Sequence, residues 1–185
     1  MPHHGLSDPP HEDAPNLSAL ALTLRQSCIE LMADYGVHVT PQKWRAEATE
    51  SNATLTAEVD FKGRLLYGSV VLSATRDVIL ETAHGAAGME AKVPRSLSDW
   101  NRELVNQLLG RVKNKLQTQE VSVDVGVPRP LDAVKPTLDY DVREGFSCAA
   151  GTFSVYLVAV FDAGLVLGVG SVDEGLPSEG ELLLF

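Results

Sequence analysis

The chain has 185 residues, 44% of them hydrophobic and 22% charged, an ordinary composition for a soluble protein and enough for one domain with its own core. Its net charge of −10 argues against nucleic acid, because neutralising phosphates takes a dense basic face, and no apolar run reaches the ~20 residues that span a bilayer. The two cysteines, Cys28 and Cys148, lack metal or redox spacing and read as buried free thiols, and with no secretory segment in view the chain is placed in the cytoplasm.

Residues 1–16 read as a disordered tail rich in Pro, His and acids. Its His3, His4 and His11 lack the fourth partner that a zinc site requires. The first helix is predicted from about Leu17 to Tyr35, where Leu20, Leu24, Cys28, Leu31 and Met32 recur at helical spacing, and Gly36 stops it. A strand around Lys43–Ser51 is expected next. The period then changes to two: Leu55, Ala57, Val59 and Phe61 alternate with polar residues, Lys62-Gly63 turns, and Leu66 to Leu72 returns as a hairpin partner.

Thr75–His84 reads as a short helix ended near Gly85 and Gly88. After a linker containing Pro94 comes SDWNRELVNQLLGRVKNKL, Ser98 to Leu116, a helix of about five turns. Val121 to Val127 alternates as a strand stopped by Pro128 and Pro130. Residues 131–145 show no period. Phe146–Ala150 and Thr152–Phe161 read as strands, and Leu165–Val169 as a further short one. The fold class is therefore α+β: two layers, a mostly antiparallel sheet with helices packed on one face. The core domain is set at 17–162, and 163–185 is a C-terminal extension with an acidic tail.

On the Ser98–Leu116 helix, a step of about 100° per residue separates two faces. Trp100, Leu104, Val105, Leu108, Leu109, Val112 and Leu116 form one. Asp99, Glu103, Asn106, Gly110 and Lys113 form a stripe on nearly the opposite side. Gly110 costs such a helix roughly 1 kcal/mol relative to Ala, and Asn106 is a poor helix former. A plain solvated face would more readily use Glu, Lys or Gln at such positions, and a glycine there would let another surface come close, but acid-and-amide stripes also occur on many ordinary surface helices.

The pattern Asp99-x-x-x-Glu103-x-x-Asn106-x-x-x-Gly110-x-x-Lys113 resembles the signature helix of the CheC/CheX family of chemotaxis phosphatases. The hairpin FKGRLLYGSVVLS before it and the strand VSVDVGVPRPL after it fit the same family. The CheC branch carries two such helices. Here the other candidate, RQSCIELMADYG, has Glu30 but Ala33 where Asn is required, so the chain resembles the single-site CheX branch, whose members are homodimers. Gln107 departs from the family, which often has an apolar Met beside the stripe.

The resemblance implies a phosphatase acting on a CheY-like response regulator phosphorylated on aspartate, with no cofactor in this chain and Mg²⁺ held by the regulator. Asn106, whose amide both donates and accepts, would place a water in line with the breaking P–O bond. Glu103 would meet the regulator's active-site lysine. Gly110 would admit the partner's backbone, with Asp99 and Lys113 at the rim. The other reading is a non-catalytic, CheX-like dimeric binding module for a signalling partner. A nucleotide sensor is disfavoured because no glycine-rich phosphate cradle follows a strand.

Overall fold

The structure, a computed structural model, describes residues 14–44, 54–88, 96–132 and 139–168. In chain order the elements are helix α1 (Ala14–Asp34), strands β1 (Thr40–Gln42), β2 (Thr54–Gly63) and β3 (Leu66–Thr75), helices α2 (Arg76–Gly88) and α3 (Leu97–Gln117), and strands β4 (Val123–Val125), β5 (Arg129–Leu131), β6 (Val142–Cys148) and β7 (Gly151–Phe161). All strand pairs are antiparallel, in the order β1-β6-β7-β3-β2-β4. Strand β5 pairs with the other end of β2, opposite Thr56–Glu58.

The strands' alternation decides which face the helices cover. Ala57, Val59 and Phe61 of β2, Val70, Leu72 and Ala74 of β3, and Val155 and Leu157 of β7 point to one side. There they share a core with Leu20, Leu24 and Leu31 of α1 and Leu104 and Leu108 of α3. The opposite side carries a smaller cluster of Val71, Tyr140 and Tyr156, joined by Trp44, Leu131 and Val158. The expected two-layer α+β arrangement is thus the observed one. Among the described residues, no helix is long and apolar enough to cross a membrane.

Several boundaries move, each for a local reason. Helix α1 starts at Ala14, so three residues assigned to the tail are helical. Pro15 is tolerated there because a first-turn N–H has no intrahelical partner anyway. Asn16 is buried and uses its amide twice, donating to the Leu165 carbonyl and accepting from the Leu167 N–H, both at 2.8 Å. Those bonds replace a ladder: residues 165–168 form no strand, yet Leu165 and Leu167 join the core. The core therefore extends past the expected limit at residue 162.

The hairpin bends at Arg64 and Leu65, just after the predicted turn. Lys43 and Trp44 lie past β1 with no strand pairing, and the rest of the strand expected at 43–51 falls outside the described residues, as do 1–13, the Pro94 linker and 169–185. The 121–127 strand contracts to β4, Pro130 lies inside β5 rather than ending a strand, and β6 begins at Val142. Helix α2 runs through Gly85 to Gly88. Cys28 is fully buried and Cys148 half-buried, and both are free. Burial pushes the Cys28 thiol pKa well above its ordinary value, with the Glu144 charge adding to it. A bidentate pair joins α1 to β6: Arg25 Nε and Nη2 each reach a Glu144 carboxylate oxygen at 2.9 Å.

Candidate functional site

Helix α3 is fixed before it presents anything. Ser96 caps it, its Oγ accepting from the Asp99 N–H at 3.1 Å. Trp100 is buried and donates from Nε1 to Thr82 Oγ1 of α2 at 2.9 Å, while Thr82 donates onward to the Ile79 carbonyl at 2.8 Å. Farther along, α3 runs antiparallel to α1. Three contacts mark this: Glu30 with Lys115 at 2.8 Å, Asp34 with Arg111, and Tyr35 with Gln107. Two glycines shape this corner. Gly36 ends α1 with φ +74°, a left-handed conformation that favours glycine. A Cβ on Gly85 would sit 2.0 Å from the Tyr35 carbonyl oxygen, so only glycine lets α2 come up against that turn.

With its flank pinned to α1 and α2 and its apolar face on β2, α3 leaves one crest half-exposed. Trp100, Leu104, Val105, Leu108, Leu109, Val112 and Leu116 are all buried, as the spacing predicts. Asp99, Glu103, Asn106, Gly110 and Lys113 are all half-exposed. They share one line along about 21 Å of helix, at 1.5 Å per residue. Glu103 and Asn106 sit one turn apart near its middle, and Asp99 and Lys113 lie toward the ends.

Among the described residues, the Asn106 amide makes no hydrogen bond within the chain, and Lys113 makes no ion pair. One Glu103 oxygen accepts from Gln107 Nε2 at 2.8 Å; its other oxygen has no partner among the described residues. A Cβ built on Gly110 meets nothing within 4 Å, so the glycine is not required by this chain's own packing. The crest therefore offers a carboxylate oxygen, a free amide and a close-approach point. Among the described residues, no three His, Cys, Asp or Glu side chains group to hold a metal.

Asp99 is engaged differently: Arg102, one turn on, donates to it. That hydrogen bond, and secondly the Ser96 hydroxyl, hold its carboxyl below the ordinary value of 3.8. A carboxyl depressed by folding stabilises the fold above its unfolded value, and the contribution is lost as the pH falls through the lower folded value. Accordingly, urea unfolding should find wild type more stable than Asp99→Asn at neutral pH, with the difference closing below pH 3.8. A difference constant down to pH 2 would contradict the assignment.

Sequence spacing missed Asn101 and the Tyr35–Gln107 contact. Asn101 is buried, its amide atoms without hydrogen-bond partners among the described residues. The i, i+4 spacing of Glu103 and Gln107 was the available signal for half of the second; the cross-helix half comes from the fold.

A family model described as "Chemotaxis phosphatase CheX" matches residues 55–150, which include β2, β3, α2 and the whole of α3. No curated protein matches the chain in sequence. Solved structures do match in fold. The chemotaxis protein CheX from Vibrio vulnificus has a TM-score of 0.61 at 16% identity, covering 76% of this chain and 96% of its own. A CheC-like superfamily protein from Shewanella has a TM-score of 0.61 at 18% identity, covering 77% and 97%. The CheX in a CheX–CheY–BeF3–Mg²⁺ complex from Borrelia burgdorferi has a TM-score of 0.53 at 12% identity, covering 75% and 96%.

Proposed function

Because the chain belongs to the CheX family of chemotaxis phosphatases, we propose that it hydrolyses the aspartyl phosphate of a CheY-like response regulator by inserting the α3 crest into the regulator's active site. The observation that carries this reading is the pair at the centre of the crest. Glu103 and Asn106 stand one turn apart, turned away from a buried apolar face and only lightly engaged by their own chain. The Borrelia CheX was crystallised with CheY, BeF3 and Mg²⁺, which supports the same class of partner here; that the regulator holds the Mg²⁺ is part of the proposal.

In the reaction, water oxygen bonds to phosphorus as the P–O bond to the aspartyl carboxylate breaks. The electron pair stays on that carboxylate and both of the water's protons leave with inorganic phosphate. Such a loose transition state asks for an aligned water and charge compensation more than for a strong base. Asn106 supplies alignment, its carbonyl accepting from the water while its NH2 donates to a phosphoryl oxygen. Glu103 supplies register, its outer oxygen meeting a cationic side chain of the regulator. The reading includes a homodimer acting in the cytoplasm, the first part of which light scattering measures.

The direct test follows inorganic phosphate released from a phosphorylated CheY-like regulator, with and without the protein. Release should accelerate with wild type, and Glu103→Ala should lose most but not all of that acceleration. A regulator that binds but is never dephosphorylated faster would leave the non-catalytic binding module in its place.

Gly110 gives a prediction in which stability and activity part. Gly110→Ala meets no neighbour and removes a helix-interior glycine, so it should stabilise the fold by roughly 1 kcal/mol, or about 2–4 °C in a chain of this size. The same methyl stands where the partner's backbone approaches, so regulator dephosphorylation should fall severalfold. Calorimetry and the phosphate assay on one preparation check both signs.

A further inference from the structure

The Glu103 side chain turns freely about χ1, χ2 and χ3 in solution, yet here it is held, and the groups that hold it lie outside the stripe. Gln107 Nε2 donates to Glu103 Oε1 at 2.8 Å, and Gln107 Oε1 accepts from the Tyr35 hydroxyl at 2.6 Å. We propose that Gln107, itself oriented by Tyr35, is a positioning residue that keeps the Glu103 carboxylate on the α3 crest with one oxygen free for the partner. The inference rests on the function proposed above and assigns roles to two residues outside the motif.

The chemistry fixes the direction of the relay. A carboxylate only accepts, so the Gln107 NH2 must face it. That turns the amide oxygen toward Tyr35, and the phenol must donate. Burial first, and secondarily the Glu103 charge, raise the Tyr35 phenol above its ordinary value of 10.0. It therefore keeps its proton throughout the neutral range. Tyr35 is held in turn by an edge-on contact with the Trp100 ring, centroids 5.3 Å apart at 74°, and by the close approach of Gly85 to its carbonyl. The relay thus runs from the α1–α2–α3 junction to the outward carboxylate. Each bond aligns the next, and the last, to a carboxylate, is charge-assisted.

Holding Glu103 in advance spares the rotamer freedom that docking would otherwise remove. The second oxygen, with no partner among the described residues, is left as the acceptor for an incoming cation. The neighbouring α1–α3 pairs, Glu30–Lys115 and Asp34–Arg111, tie the same two helices without touching Glu103, which provides a control.

The test is a double-mutant cycle on the kcat/KM of regulator dephosphorylation. Gln107→Met keeps volume and helix propensity and should lower kcat/KM by roughly tenfold or more, the range expected of one charge-assisted hydrogen bond. Tyr35→Phe keeps the contact with Trp100 and should lower it by about threefold, the range of a neutral hydrogen bond. Lys115→Gln should leave it unchanged. In a Glu103→Ala background, Gln107→Met should cost nothing further, a non-additivity that a merely structural role would not produce.

If Glu103→Ala is damaging while Gln107→Met is neutral or strictly additive with it, the relay is overturned and the proposed function stands. If Glu103→Ala is itself without effect, both are overturned. Loss of activity in Lys115→Gln equal to that in Gln107→Met would also overturn the relay, because helix stapling alone would then explain it.

Discussion

Asn106→Ala should slow dephosphorylation of the regulator by roughly 10²-fold, the cost of losing placement of a reacting group, with the loss in kcat and little change in regulator affinity. The amide makes no hydrogen bond within the chain among the described residues, and its helix is held by the opposite face, so nothing in the fold depends on it. Alanine is in fact the better helix former by about 0.5 kcal/mol. The variant should melt at or slightly above the wild-type temperature while turning over slowly. Asn106→Asp is a sharper probe, since it keeps the shape, loses the NH2 donor and adds a negative charge beside the phosphoryl group. It should be no better than alanine. A variant lacking the amide yet retaining more than about half the wild-type kcat would remove water placement from the mechanism.

Those expectations rest on a helix whose two faces could be read from spacing alone. The reason is physical: α3 is long, it packs flat on β2, and each of its positions answers to burial in only one direction. The hairpin was legible for the same reason, since period-two alternation survives wherever one sheet face is apolar and the other is not. Legibility failed where a polar residue served the core or a breaker sat on an edge. Glu144 lies on the helix-facing side of β6 among Val142 and Phe146, paired with Arg25. That charge interrupts the alternation and hid the first half of the strand. Pro130 reads as a stop, but among the described residues β5 is paired with β2 alone, and a proline is tolerated at an edge.

Gly85 reads as a helix end, whereas it is an interior residue kept small by the Tyr35 backbone. Asn16 looked like tail because its partners lie 149 and 151 residues away. In the site the same division holds. The crest residues follow from one helix's geometry, while the Tyr35–Gln107 contact required knowing that α1 and α3 lie antiparallel.

Leu108→Ala probes the other face of α3 and should give the reverse result. Leu108 is fully buried among the side chains that join the helix to the sheet, so truncation removes its transfer free energy and leaves a cavity. A cost of about 3 kcal/mol is expected, lowering the melting temperature by roughly 6–12 °C. Molecules that remain folded still present Glu103 and Asn106 one turn apart, so kcat per folded molecule, assayed well below the new melting temperature, should stay within about twofold of wild type, the transmitted displacement being spread through a packed core. A loss of kcat comparable to that of Asn106→Ala, at a temperature where circular dichroism reports full folding, would mean that the buried face sets the chemistry and not merely the stability of the helix that bears it.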